Sequence, residues 1–187
     1  ITYQNIENFR RQMENMDTQY EEILCTSNDN YIKETQAIFK LLLDKGLAYK
    51  AKGVQDYCPK CETVLAREQV KNGNCERHDI PIEKKELKQW YFKITDYKDR
   101  LIKNLDTIDY PEKTKKMQRA WLENLHDWCV SRQRKWGCSI PIENEEDTLD
   151  TFVDSSFYYI VYQLWKGLVP KQVDLYIGGS EHACMHL

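Results

Sequence analysis

No apolar run in the 187 residues comes near the length that a bilayer span requires. The first segment is punctuated by Asn5, Glu7, Arg10 and Arg11, so a signal-like apolar start is missing as well, and a cytoplasmic chain is the expectation. Excess positive charge is also lacking: at a net −3 there is no global basic field of the kind that advertises a nucleic-acid binder. Local patches remain, at Lys113, Lys115, Lys116 and Arg119 and again at Arg132, Arg134 and Lys135, each readable as a solvated face or as a phosphate contact. Nor do the seven cysteines suggest a disulfide framework. Their number is odd, and Cys25, Cys129, Cys138 and Cys184 are scattered among aromatic or apolar neighbours, which suits buried thiols in a reducing compartment. With 30% charged residues, the composition is that of a globular chain long enough to bury a core in one domain or two small ones.

The other three cysteines are grouped. Cys58-Pro59-Lys60-Cys61 is followed, after thirteen intervening residues, by Cys75-Glu76-Arg77-His78. Two ligand pairs, each closing a tight turn and separated by enough chain for a hairpin, are the pattern of a tetrahedral zinc site with no open position. A redox Cys-x-x-Cys is the weaker account, because Glu62-Thr63-Val64-Leu65 does not open a helix and a second ligand pair waits downstream.

Along the chain, Ile6, Phe9, Met13 and Met16 recur at helix spacing. After a polar break at 26–29, Ile32, Ile38, Phe39, Leu42 and Leu43 repeat it until Gly46, with Lys45 in the last turn, stops the helix. Residues 47–94 change to short strands and turns, with Asn72-Gly73 a turn and 87–94 a strand-like aromatic run. Thr95 is expected to cap a helix whose apolar stripe is Tyr97, Leu101, Ile102 and Leu105, and Asp109 to cap another beginning at Pro111. The acidic connector 144–147 is expected to be exposed, and 150–165 to form one aromatic-rich helix. At the end, a strand at 173–177, the turn Gly178-Gly179-Ser180 and a helix from Glu181 place backbone N–H groups where open α/β sheets bind nucleotides, a weak signal taken alone. His182 and His186 share a helix face, which invites a metal reading. Ala183 stands where a zincin needs its glutamate, and one histidine at a pocket with the other in the core fits equally well.

Seven ordered blocks carry a resemblance. Gly46-Leu47-Ala48-Tyr49, the stretch from Cys58 to Cys75 with Thr63-Val64-Leu65-Ala66 and Glu68-Gln69-Val70, Gln89-Trp90-Tyr91-Phe92-Lys93-Ile94-Thr95, Met117-Gln118-Arg119, Ser131-Arg132-Gln133-Arg134, Asp150-Thr151-Phe152-Val153-Asp154-Ser155-Ser156 and Tyr176-Ile177-Gly178-Gly179-Ser180-Glu181-His182 together resemble bacterial-type leucyl-tRNA synthetase, a class I aminoacyl-tRNA synthetase. Isoleucyl and valyl relatives, the sibling alternative, share the Ser-Arg-Gln-Arg block but typically carry Asp-Gln in place of Glu181-His182.

The resemblance implies an α/β fold, part of a Rossmann-like catalytic domain with an inserted zinc-binding α+β module. It divides the chain into a helical segment (1–46), the zinc module (47–94), a helical stem (95–121) and a second catalytic segment (122–187). It implies structural zinc on Cys58, Cys61, Cys75 and His78, a leucine pocket of Phe152, Ser155, Tyr159, His182 and His186, and adenosine held by Gly178, Gly179 and Glu181. ATP with magnesium, leucine and tRNA(Leu) would be the partners of a monomeric parent enzyme. The family's His-x-Gly-His turn and its Lys-Met-Ser-Lys-Ser loop are both missing. The editing domain usually inserted between Trp121 and Leu122 is missing too, and a further insertion between Pro141 and Thr148 is lost. The expectation is therefore an internal synthetase fragment, inactive alone. A non-enzymatic, zinc-stabilised module that contacts tRNA or serves as a scaffold is the alternative.

Overall fold

The computed structural model describes residues 2–18, 25–174 and 182. Helix α1 (Thr2–Asn15) and helix α2 (Asp29–Asp44) come first. The Gly46 stop is realised as a Schellman turn. Gly46 adopts φ +69°, its N–H donates to Leu43 O at 2.9 Å, and Leu47 N–H donates to Leu42 O at 2.8 Å, which satisfies carbonyls the helix leaves open.

The chain then enters strand β1 (Ala48–Cys58), which pairs antiparallel with β5 (Glu83–Phe92) without a break from Ala48 opposite Phe92 to Tyr57 opposite Glu83. Between them lie three short strands, β2 (Thr63–Val64), β3 (Val70–Lys71) and β4 (Asn74–Cys75). With β6 (Trp128–Cys129), the main sheet runs β2-β1-β5-β6. The short strands expected from 47–94 are thus joined by one long ribbon. Its outer half escapes an apolar pattern search because Lys84, Lys85 and Glu86 face solvent there, and an antiparallel pair with one face in water carries charge on that face.

The core forms where the ribbon meets α2. Phe39, fully buried, sits edge-on to Trp90 with ring centroids 5.4 Å apart, and Trp128 meets Phe92 edge-on at 5.9 Å, contacts that add to area burial. Val130, Ile140, Leu149 and Val153 complete this cluster. A second cluster lies under Cys58, Leu65 and Cys75. A third joins Leu105, Leu122 and Leu125 beneath α3 (Lys98–Asn104) and α4 (Glu112–Glu123).

Several local expectations give way to long-range bonds. Thr95 does not cap a helix: its Oγ donates to Asp127 Oδ1 at 2.6 Å, and α3 begins only at Lys98. Leu101 is exposed rather than part of the stripe. Pro111, not Asp109, occupies the cap position of α4, and α4 runs unbroken through Trp121 and Leu122. The acidic connector turns inward in part. Glu145 accepts from Lys50 Nζ and, at 2.7 Å, from Trp90 Nε1, while Asp147 accepts from Gln133 Nε2 at 3.0 Å. The aromatic helix divides at Phe157 into α5 (Thr151–Ser156) and α6 (Tyr158–Trp165). Val173 and Asp174 are not in a strand, and the rest of that expected strand lies outside the described residues.

Arg132 leaves the basic patch altogether. It is 3% exposed and pairs with Asp150, 5% exposed, between β7 (Ser131–Arg132) and β8 (Thr148–Leu149). Its Nη1 also donates to Cys129 O and Ser131 O. Removing one member strands a buried charge, so Arg132→Ala is expected to lower the unfolding free energy by about 3–5 kcal/mol, read from urea denaturation of the chain.

Candidate metal centre and adjoining cleft

The first ligand pair closes the end of β1. Cys61 N–H points back to Cys58 Sγ at 3.3 Å, Glu62 N–H donates to Cys58 O at 2.9 Å, and Glu62 takes φ +55° to turn the chain into β2. The second pair closes β4 in the same manner, with Asp79 N–H donating to Cys75 O at 2.8 Å. The two turns face each other. His78 Nδ1 lies 3.2 Å from Cys61 Sγ, 3.8 Å from Cys58 Sγ and 4.0 Å from Cys75 Sγ, and Cys61 Sγ lies 3.8 Å from Cys75 Sγ. A tetrahedron with metal–sulfur bonds of about 2.3 Å has edges of about 3.8 Å. Three sulfurs and one imidazole nitrogen therefore stand at the corners of a zinc-sized tetrahedron, all within 4.8 Å of one another. Cys58 and Cys75 are buried, and Cys61 and His78 are half-buried.

Burial works against ionisation of the Cys58 thiol, yet hydrogen bonds from His78 and Cys61 outweigh it and hold its pKa below the usual thiol value. Cys61 moves up, through burial and its two thiol neighbours. The cluster can hold zinc in a closed shell, with no position left for a reacting molecule. Because β2, not a helix, follows Cys61, the redox reading loses its structural context.

A cleft of about 960 Å³ opens beside this centre. The sheet and the turn before β6 contribute Tyr91 and Asp127, and the two short helices contribute Phe152, Ser156, Phe157 and Tyr159. Of the expected leucine-pocket residues, Phe152 and Tyr159 line this cleft. Ser156, rather than Ser155, stands on its wall, while Ser155 Oγ donates to Phe152 O at 3.3 Å. His182 is helical and half-buried. Gly178, Gly179, Glu181 and His186 lie outside the described residues, as does Cys184. Cys138 is buried, and Cys25 and Cys129 are half-buried.

Sequence reading missed the polar frame of the cleft. Asp127 accepts from Tyr49 OH at 2.6 Å and from both Thr95 Oγ and Thr95 N–H. Burial would raise its pKa, but these donors and Lys93 lower it on balance. Nothing in the spacing of these residues announces the network, because its members come from separate elements. Asp154 was missed as a titrating group as well. It is pushed up to about 7 by burial and then by the Asp150 charge, and among the described residues its Oδ1 has no hydrogen-bond partner. Asp154 in turn raises the nearby Tyr31 and Cys138, after burial.

The family model for tRNA synthetases class I (I, L, M and V) matches residues 1–172. The chain belongs to this family. Among curated synthetases it is 48% identical to the leucine–tRNA ligase of Clostridium botulinum (strain Hall) over 123 residues, which is 65% of this chain and 15% of that protein. It is 49% identical to the leucine–tRNA ligase of Caldanaerobacter subterraneus subsp. tengcongensis over 125 residues, with the same shares. The chain thus spans about 15% of the length of the curated relatives it matches. Among solved synthetases, the ternary complex of Agrobacterium radiobacter K84 agnB2 LeuRS, tRNA and LeuAMS superposes with a TM-score of 0.83 at 18% identity, covering 100% of this chain and 51% of that one. Mycobacterium tuberculosis methionyl-tRNA synthetase with methionyl-adenylate gives 0.68 at 17%, covering 84% and 33%. These likenesses show the fold: a mixed α/β class I synthetase catalytic domain. Among the described residues, no helix is long and apolar enough to cross a membrane.

Folding raises the Asp154 pKa, so its protonated form is favoured in the native synthetase fold. The stability it contributes is complete below the ordinary carboxylate value of 3.8 and is lost as pH rises through about 7. Asp154→Asn is expected to raise the thermal midpoint relative to wild type at pH 8 and to flatten the decline between pH 4 and 7, checked by thermal melts across that range.

Proposed function

We propose that this chain is a segment of a leucine–tRNA ligase, and that the protein carrying it activates leucine with ATP and passes the leucyl group to tRNA(Leu). The observation that carries this reading is the 48–49% identity to leucine–tRNA ligases over 123 and 125 residues, since the family match by itself spans four amino acids. In the first step the leucine carboxylate oxygen attacks the ATP α-phosphorus and pyrophosphate leaves. In the second, a terminal ribose hydroxyl attacks the acyl carbon and AMP leaves. Neither step needs a covalent bond to the enzyme, so the protein's part is positioning and charge stabilisation.

In this reading the Phe152 and Tyr159 rings form an apolar wall that reads the branched side chain by shape, with Ser155, His182 and His186 around it. Gly178, Gly179 and Glu181 hold the adenosine, the carboxylate of Glu181 accepting from ribose hydroxyls, and magnesium accompanies ATP. Zinc on Cys58, Cys61, Cys75 and His78 ties two turns together and performs no chemistry of its own. The enzyme works as a cytoplasmic monomer.

Two experiments test the reading. The full-length protein carrying this segment is expected to exchange pyrophosphate with ATP in the presence of leucine at least about a hundredfold better than with isoleucine, valine or methionine, a gap typical of one or two branching differences; a preference for any of those three overturns the leucine assignment. The isolated segment is expected to show no leucine-dependent exchange. Separately, the segment should carry one zinc per chain by elemental analysis, and chelation or Cys61→Ser should remove strand signal from the circular dichroism spectrum. A metal-free chain with an unchanged spectrum overturns the zinc assignment.

A further inference from the structure

We propose that Gln133 is a positioning residue that couples the Cys58, Cys61, Cys75 and His78 centre to the helix bearing Phe152; the proposal rests on the leucine-pocket reading above. Gln133 is hydrogen-bonded through its backbone N–H and through both polar atoms of its side chain. Its backbone N–H donates to Thr63 Oγ at 3.0 Å, and its side-chain Oε1 accepts from Val64 N–H at 3.0 Å. Its Nε2 donates to Gln89 Oε1 at 2.9 Å and to Asp147 Oδ2 at 3.0 Å. Thr63 and Val64 are fully buried, and Thr63 stands opposite Cys58 in the β1–β2 pairing, two residues past Cys61. On its other side, Gln133 follows Arg132, whose guanidinium holds Asp150. Asp150 Oδ1 accepts from Phe152 N–H at 3.1 Å and so caps α5.

From a metal-ligand residue to a pocket wall, the links run Cys58, Thr63, Gln133, Arg132, Asp150, Phe152. Each is a peptide bond, a ladder pairing or a side-chain hydrogen bond. A contiguous network of this kind can carry energetic coupling between two sites, which the comparison below measures. The chemistry also explains why an amide stands here. The position must accept from Val64 while donating to Gln89 and Asp147, and only an amide side chain does both at once. Glutamate in its place would put a carboxylate against Asp147, and a hydrocarbon would take a hydrogen-bond partner from the buried Val64 N–H, from Gln89 Oε1 and from Asp147 Oδ2.

The test uses the full-length, zinc-loaded protein, with Gln133→Met and Thr63→Val as disrupting variants and Thr63→Ser as the conservative one. Three quantities are read: zinc content, amide hydrogen exchange over residues 149–153, and leucine kcat and KM in pyrophosphate exchange. In wild type and Thr63→Ser, chelation with EDTA is expected to speed exchange over 149–153 by about tenfold, the size of one lost buried hydrogen bond. In Gln133→Met those amides should already exchange about tenfold faster with zinc fully bound, and chelation should add nothing. The leucine KM should rise about tenfold with kcat within about threefold, because ground-state and transition-state binding are lost together. An equal chelation response in wild type and Gln133→Met, no response in either, or an unmoved leucine KM overturns the proposal. If Gln133→Met does not fold, Thr63→Val supplies the same comparison. Failure of the leucine reading shows separately, as a wild-type enzyme without leucine-dependent activity, whereas the amide comparison still reads the coupling.

Discussion

A guanidinium and a carboxylate taken out of water together are a liability unless every remaining donor and acceptor is met. The Arg132–Asp150 pair offsets that cost by recruiting its surroundings. Arg132 reaches the carbonyls of Cys129 and Ser131, and Asp150 receives Phe152 N–H and, at 3.4 Å, Trp128 Nε1. Satisfying these charges fixes the path of β6 and β7, the start of α5 and the tilt of the Trp128 indole. The apolar cluster of Val130, Leu149 and Val153 is threaded through the same few residues. Packing there and charge satisfaction cannot be separated, because consecutive residues along β7 and β8 do one or the other.

What was legible beforehand was what is encoded over a few residues. The Cys58 and Cys75 pairs each close a turn on themselves, so spacing alone forecast that they could meet around a metal, and Gly46 ended α2 by a rule that needs only its own φ. Thr95 and Asp109 carried equally good local signals for caps and failed. For Thr95, a carboxylate 32 residues away offered a stronger acceptor than the helix N-terminus. Glu145 and Asp147 were misjudged for the same reason. An acidic run reads as solvated until the Lys50, Trp90 and Gln133 donors arrive from other parts of the chain. Arg132 looked like part of a basic surface because nothing next to it in sequence shows that Asp150 will be its partner.

The candidate site divides along the same line. Phe152 and Tyr159 were found through a resemblance, not through periodicity, and their helix broke at Phe157 where the pattern suggested continuity. The polar frame of Asp127, Tyr49 and Thr95 had no sequence signal. Each of its members is an ordinary residue until the sheet sets β1 and β6 on either side of β5, within reach of the Tyr49 side chain.

The ribbon of β1 and β5 has one more property that follows from bonds already described. A single glutamine, Gln133, touches Val64, which stands opposite Tyr57, and Gln89, which stands opposite Ala51. On a straight strand, six residues at about 3.3 Å each put those two places about 20 Å apart, beyond the combined reach of the Gln133 and Gln89 side chains that bridge them. The strip is therefore bent back on itself like a watch spring, with Gln133 as its catch. Gly53 sits inside the bend, where an added Cβ would lie 2.5 Å from the Tyr91 hydroxyl. The curvature has room to exist because one position in the strand has no side chain, and the metal-ligand turn at its end is carried inward to the body of the protein instead of out into solvent.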